Sequence, residues 1–168
     1  MVWIILLSII GLVAADQIIK IMIINWLQPI GTAPIIDGFI RFRYVENDGA
    51  AFSFLSATGW GRWFFIILTG ACIIAGIAAL LSKKLKDKYP VLNNKLIIVC
   101  LVLIVSGGIG NLIDRIFRGI VIDFIEPVFI NFAVFNFADS LVTVGAFILI
   151  FYLIYDIIRD SRKGKENE

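Results

Sequence analysis

Long apolar stretches separated by shorter polar segments dominate this sequence. Each stretch has the roughly 18–20 residues that a helix needs to cross a bilayer. There are four of them, at residues 3–24, 63–81, 96–113 and 137–158. The pattern therefore predicts four membrane-spanning helices.

The first stretch could instead be a cleaved signal peptide, because the small pair Ala14-Ala15 resembles a cleavage site. However, no Lys or Arg precedes the apolar residues, and the stretch continues past Asp16 to Ile24. We therefore expect it to remain in the protein as a membrane span.

The two segments that share one side of the membrane contain strand-like patterns. In residues 25–59, apolar and polar side chains alternate from Phe39 to Asn47, which is typical of a half-buried strand. Residues 49–56 are apolar on one side and predict a short helix at the membrane interface. In residues 114–136, a second strand is expected before Pro127. A small sheet resting on the helix bundle follows from these patterns.

The placement of charge orients the chain in the membrane. Hydrophobic residues make up 60% of the sequence, compared with about 45–50% in soluble domains. Lys and Arg cluster in residues 82–95 and 159–168, which the positive-inside rule assigns to the cytoplasm together with both termini. The expected fold class is therefore an all-α membrane protein. It is a four-transmembrane-helix bundle with a small extracytoplasmic β-sheet and a short interfacial helix, forming one integral membrane domain over residues 1–168.

The residue inventory excludes several kinds of site. The chain has no histidine, which excludes His-ligated zinc and nucleophiles paired with histidine. Cys72 and Cys100 lie within predicted spans without CxxC spacing, so we interpret them as packing residues. No metal or cofactor is expected.

Polar residues of separate spans fall at one depth. With both termini in the cytoplasm, the first and third spans run outward and the fourth begins outside. The polar side chains at their outer ends can meet there with those of the outer segments, and they are Asp16, Lys20, Asn47, Asn111, Asp114, Arg115, Asp123, Asn136 and Asp139. A charged residue at the centre of a membrane helix costs about 3 kcal/mol on insertion scales, so such convergence favours a functional site.

Structural explanations exist for several of these residues. Asp16 and Lys20 have the i,i+4 spacing of an ion pair on one helix face. Asn136 could cap the fourth helix. Asp114-Arg115 could form an interfacial salt bridge, and the small residues Ser106, Gly107 and Gly110 are typical of close helix packing. Asp139 has no such simple explanation.

The inventory leaves two routes for peptide-bond hydrolysis. One is a Ser–Lys pair, with Lys20 as the base. The other is a pair of carboxyl groups that share a proton, for which Asp123 and Asp139 are the candidates. A proton-coupled transporter that uses the intramembrane carboxylates as a relay, or a non-enzymatic scaffold, stays open as an alternative.

Sequence motifs connect the chain to a known family. The blocks DQIIK (Asp16–Lys20), NDGAAF (Asn47–Phe52), GGIGNLIDR (Gly107–Arg115), VIDFI (Val121–Ile125) and FNFADS (Phe135–Ser140) occur in this order. In these blocks the chain resembles the lipoprotein signal peptidases (signal peptidase II) of bacteria. The resemblance implies an aspartic endopeptidase of the bacterial cytoplasmic membrane that cleaves diacylglyceryl-modified prolipoproteins before the lipidated cysteine and releases the signal peptide.

The resemblance also implies roles for individual residues. Asp123 and Asp139 match the catalytic pair. The positions expected to orient the substrate or support the site are Asp16, Lys20, Asn47, Gly107, Gly108, Asn111, Asp114, Arg115 and Asn136. The expected partners are the lipidated precursor and membrane lipid, without nucleic acid, cofactor or metal, and the protein is expected to be a monomer with its active site near the outer face.

Overall fold

The computed structural model describes residues 1–49 and 60–166, and side chains up to Ser161. Its long helices are α1 (Val2–Leu27), α2 (Gly61–Leu81), α4 (Lys95–Phe117) and α5 (Phe137–Glu166); the short helix α3 (Lys83–Lys88) and a 3₁₀ turn (Pro90–Asn93) lie between α2 and α4. The four long helices are long and apolar enough to cross a membrane. The four predicted spans are therefore confirmed, and the protein is a multi-pass membrane protein.

Helix α4 forms the centre of the bundle. It packs against α1, α2 and α5. Half of its apolar span (50%) is buried inside the protein, compared with 6% to 11% of the other three spans. Small residues allow this close approach, as predicted, because a Cβ atom on Gly107 would clash with the carbonyl oxygen of Ala138. The outer helices therefore hold α4 and its polar residues away from lipid.

A three-stranded antiparallel sheet lies at the end of the bundle where α1 ends and α5 begins. Its strands are β1 (Thr32–Ile36), β2 (Ile40–Asn47) and β3 (Val121–Pro127), in the order β1-β2-β3. Strands β2 and β3 confirm the predicted pair. Strand β1 was not predicted, because Pro34 usually interrupts a strand; an edge strand tolerates it, since only one side of the strand carries ladder hydrogen bonds.

The sheet is fixed to the bundle through a hydrophobic cluster. Ile122 and Phe124 of β3 pack against Ile23 and Leu27 in the last turns of α1. Because side chains alternate along a strand, Asp123 points away from this cluster. It points instead toward the start of α5, where it meets Asn136.

The two basic segments, residues 82–95 and 159–168, contain helical structure where the structure describes them. The 82–95 loop folds into α3 and the 3₁₀ turn, and Asn94 caps α4 by accepting a hydrogen bond from the N–H of Leu96 at 2.8 Å. The expected tail begins inside α5, where Arg159 pairs with Asp156 at 2.6 Å. The expected interfacial helix at residues 49–56 lies outside the described residues, except for Gly49.

Candidate active site

The first turn of α5 sets the position of Asp139. The Asn136 Oδ1 atom accepts a hydrogen bond from the Asp139 N–H at 2.9 Å, and the Asp139 Oδ2 atom accepts one from the Asn136 N–H at 3.1 Å. This reciprocal arrangement is a capping box. The predicted cap at Asn136 is confirmed, and the box holds the carboxylate of Asp139 at the positive end of the helix dipole.

The amide nitrogen of Asn136 connects the two aspartates. Its oxygen is occupied by the helix N–H, so its NH2 group points the other way. It donates to Asp123 Oδ1 at 2.6 Å and to Asn111 Oδ1 at 3.1 Å. The side chain is fully buried. One residue thus caps the helix of Asp139 and binds the carboxylate of Asp123.

Asp123 is enclosed by two amide donors. Its second oxygen accepts from Asn47 Nδ2 at 2.8 Å, and Asn47 Oδ1 in turn accepts from the Gly49 N–H at 2.8 Å. Only 1% of Asp123 is exposed. Burial, together with the negative charge of Asp139, raises the pKa of Asp123 to about 6, although the hydrogen bonds from Asn47 and Asn136 and the charge of Lys20 act in the opposite direction.

Asn111 supplies the remaining donor to Asp139. Its Nδ2 atom donates to Asp139 Oδ1 at 2.7 Å. Its Oδ1 atom accepts from Lys20 Nζ at 3.0 Å. Asp139 itself is half-buried, in contrast to Asp123. The pair therefore consists of one enclosed carboxyl and one that reaches a cavity.

Lys20 is the centre of a buried ionic cluster beneath the aspartates. It pairs with Asp16 Oδ2 at 3.0 Å and with Asp114 Oδ2 at 2.8 Å, and all three side chains are fully buried. The predicted Asp16–Lys20 pair is confirmed. Lys20 donates to these carboxylates and to Asn111. The hydroxyls of Ser106 and Ser140 donate to backbone carbonyls four residues earlier, at 2.6 and 3.0 Å.

Asp114 does not form the salt bridge with Arg115 that the sequence left open. In the described part of the chain it pairs with Lys20 and Arg118 and forms no salt bridge with Arg115. Consecutive helix residues point in different directions, whereas Arg118 is one turn away on the same face. Arg115 instead places its guanidinium 5.1 Å from the ring centre of Phe65.

Two residues of the cluster were missed in the sequence. Gln17 Nε2 donates to the Gly110 carbonyl at 3.1 Å, and Gln17 Oε1 accepts from Arg118 Nη1 at 2.9 Å. The i,i+4 spacing of Arg118 from Asp114 was the available signal. Gln17 had no signal beyond its position next to Asp16.

A cavity of about 370 Å³ opens beside Asp139 between α2, α4 and α5. Asn111, Arg115 and Asp139 form its polar lining. The rest of the wall is mostly apolar and consists of Leu68, Thr69, Cys72, Ile73, Ile104, Val105, Gly108, Val142 and Thr143. Gly108 allows α4 to approach α2 closely at this wall, because a Cβ atom there would lie 3.2 Å from Ile73 Cγ1. The cavity can accept an apolar chain with a polar group at the Asp139 end.

The profile of the signal peptidase (SPase) II family matches residues 8–155. The chain belongs to this family. The lipoprotein signal peptidases of Streptococcus pyogenes serotypes M5 and M3 are 41% and 40% identical to it over 149 residues, which cover 88% of this chain and 90% of each relative. Membership of the signal peptidase II family confirms the resemblance seen in the motifs and implies a protease. It does not favour the transporter alternative.

Solved structures support the same assignment. Two structures described as bacterial membrane enzymes superpose with TM-scores of 0.77 and 0.79 at 31% and 30% identity. The first match covers 94% of this chain and 91% of the other, and the second covers 93% and 96%. The helix bundle with its small sheet is therefore shared with known membrane enzymes.

Proposed function

We propose that this protein is an aspartic endopeptidase that removes signal peptides from diacylglyceryl-modified prolipoproteins, with Asp123 and Asp139 as the catalytic pair. The observation that carries the proposal is the shared amide of Asn136, which binds Asp123 and caps the helix turn of Asp139. The relatives named lipoprotein signal peptidases supply the substrate class.

The electrostatics of the pair suit acid–base catalysis near neutral pH. Burial and the charge of Asp139 raise the pKa of Asp123 to about 6, so Asp123 retains a proton at a higher pH than a free aspartate does. In the proposed catalytic pair, the two carboxyls share this proton. Such a pair holds one protonated and one ionised carboxyl at the same time. A general acid and a general base are thereby available in one site.

In the proposed reaction, the ionised carboxylate removes a proton from a water molecule as the oxygen of that water bonds to the scissile carbonyl carbon. The protonated carboxyl transfers its proton to the carbonyl oxygen, which gives a neutral tetrahedral diol. A proton then passes from the pair to the amide nitrogen as the C–N bond breaks, and one hydroxyl group of the diol returns a proton to the pair as the C=O bond forms again. The products are a carboxyl-terminated signal peptide and a lipidated amino terminus, and the pair regains its single proton.

The cavity fits the proposed substrate in shape and polarity. Its apolar wall lies between membrane helices, where an apolar segment of the precursor would remain in a lipid-like environment. Its polar end brings Asn111 and Arg115 beside Asp139, where they can donate hydrogen bonds to peptide carbonyl groups. The lipid of the substrate would stay in the bilayer while the scissile bond reaches the pair.

The proposal includes the place of the enzyme in the cell. The basic residues at 82–95 and 159–168 favour a cytoplasmic loop and tail, which puts both termini inside and the aspartates near the outer face. The expected setting is the bacterial cytoplasmic membrane, with the chain acting as a monomeric single membrane domain. Its partners would be the lipidated precursor and membrane lipid.

The test is cleavage of a diacylglyceryl-modified precursor by the purified protein. Asp123→Asn and Asp139→Asn should each lower kcat by at least about 1,000-fold while the protein remains folded. Asp37→Asn is the matched control, because Asp37 is exposed on the hairpin between β1 and β2. Wild-type cleavage by either dyad variant would refute the assignment of the pair.

A further inference from the structure

Lys20 makes one contact that charge neutralisation does not require. Its ammonium group has three N–H donors, and two of its partners are the carboxylates of Asp16 and Asp114. Its third partner is the amide oxygen of Asn111, at 3.0 Å. Lys20 and both carboxylates are fully buried, so water does not compete for these donors.

The ammonium group is one of two donors that fix which way the amide of Asn111 points, and the other is Asn136 Nδ2 at 3.1 Å. An ammonium can only donate, and the amide oxygen of Asn111 must therefore face it. The NH2 group then faces Asp139 Oδ1, where it donates at 2.7 Å. If the amide turned over, its oxygen would face the carboxylate and repel it.

Asn136 repeats this arrangement. Its Oδ1 atom is held by the N–H of Asp139, so its NH2 group faces both Asp123 Oδ1 and the same Asn111 Oδ1 that accepts from Lys20. Two amides thus direct their donors to the aspartates, and each has its oxygen fixed by a group that can only donate. Lys20 lies at the start of this chain of hydrogen bonds.

We propose that Lys20 is a positioning residue for the hydrolytic reaction. It acts through Asn111, which it holds in the orientation that donates to Asp139, and it does not itself touch the substrate. This inference rests on the proposed function and adds to it a role that differs from bracing the bundle. A bracing ion pair affects the stability of the fold, whereas an orienting donor affects the rate of the chemical step in a folded enzyme.

The experiment must separate lost charge balance from lost orientation. In Lys20→Met, the two buried carboxylates of Asp16 and Asp114 lose the lysine, and Arg118 pairs with Asp114. This variant is expected to be unstable because a buried negative charge loses its partner. The double variant Asp16→Asn/Lys20→Met removes one negative and one positive charge together, and leaves Asp114 paired with Arg118. Met retains the unbranched shape of the lysine stem. Gly145→Ala is the destabilised control, because its Cβ atom would lie 2.9 Å from the Cys100 carbonyl oxygen, at an α4–α5 contact away from the aspartates.

The readout is kcat and KM for the lipidated precursor, measured below the Tm of every variant. We expect the double variant to lose at least about tenfold in kcat with KM within about threefold of wild type, because the lost interaction acts on the reacting pair. Gly145→Ala should lose Tm without losing kcat. A double variant with wild-type kcat would overturn the proposal, since Lys20 would then serve only to balance charge.

A further variant tests the step that Asn111 performs. Asn111→Asp keeps an acceptor for Lys20 but replaces the donor that faces Asp139 with a carboxylate oxygen, so its Tm is measured together with kcat. Full kcat in this variant would also overturn the proposal. If wild type cleaves the precursor and Asp139→Asn does not, a failure of the Lys20 variants to change kcat contradicts this inference alone. If wild type shows no cleavage, the proposed function itself fails.

Discussion

The carboxylate of Asp16 accepts a hydrogen bond from the backbone N–H of Ala138, 122 residues further along the chain, at 3.1 Å. Its other oxygen binds Lys20 at 3.0 Å. Asp16 therefore joins α1 to the first turn of α5, one residue before Asp139. The N–H groups of a first helical turn have no partner within their helix, which makes them natural donors to a carboxylate. The ionic cluster and the candidate active site are in this way parts of one network.

Gly110 provides the space for this contact. A Cβ atom on Gly110 would lie 2.5 Å from Asp16 Oδ2 and 3.3 Å from the Ala138 Cβ atom. We predict that Gly110→Ala displaces Asp16 and destabilises the protein by about 1–3 kcal/mol, the usual cost of overpacking. Thermal unfolding in detergent, followed by the fluorescence of the Trp residues, measures the change in Tm.

Gly70→Ala is the matched control for this prediction. Gly70 lies within α2, and a Cβ atom there would meet nothing within 4 Å. The control should be neutral or slightly stabilising, because alanine favours a helix over glycine by up to about 1 kcal/mol. Equal effects of the two substitutions would show that the Gly110 contact is unimportant.

Local patterns in the sequence predicted much of this arrangement. The span lengths gave the four helices, the i,i+4 spacing gave the Asp16–Lys20 pair, and the residue type at the start of α5 gave the Asn136 cap. Each of these depends on neighbours within one turn or on the width of a bilayer. The shared depth of the polar residues followed from topology alone.

Contacts between distant segments were not predictable in the same way. Lys20 and Asn111 are 91 residues apart, and nothing local to either residue indicates which end of the amide faces the ammonium. Gln17 reaches the carbonyl of Gly110, 93 residues away, and its position next to Asp16 does not indicate this contact. Strand β1 forms because β2 offers it a hydrogen-bonding edge, which overrides the local effect of Pro34.

The cavity beside Asp139 gives a prediction about substrate affinity. Thr69 lines this cavity, and Thr69→Phe would fill part of it. If the precursor occupies the cavity, we expect KM to rise roughly tenfold with a smaller change in kcat, which corresponds to about 1.4 kcal/mol of lost binding. Steady-state cleavage of the lipidated precursor measures both constants.

Ile67→Phe is the control for the cavity prediction. Ile67 is on the same helix, but 69% of it is exposed and it does not belong to the cavity lining. The added aromatic ring should therefore face outward and leave KM unchanged. A rise in KM for both variants would indicate a general effect on α2, and a change in neither would place the substrate elsewhere.

The raised pKa of Asp123 predicts how stability depends on pH. Burial, with the negative charge of Asp139, raises this pKa from 3.8 to about 6, so between these pH values the folded protein binds more protons at this group than the unfolded chain does. The free energy of unfolding therefore falls as pH rises through this range. Protonation of Asp123 contributes about 3 kcal/mol to the free energy of unfolding. This contribution is fully present below pH 3.8 and is lost above about pH 6.

Asp123→Asn removes this titration, so the difference in Tm between wild type and the variant should depend on pH. An amide at position 123 presents a donor to Asn47 or Asn136, and the lost hydrogen bond lowers Tm equally at all pH values. On top of that constant loss, the Tm of the variant should rise relative to the Tm of wild type as pH rises from 4 to 7. Two charged groups act on Asp123, namely Asp139 and Lys20, and both are present in the wild type and in the variant. Asp37→Asn, at an exposed position, should run parallel to wild type. Parallel curves for Asp123→Asn as well would mean that the carboxyl of Asp123 does not hold its proton up to about pH 6.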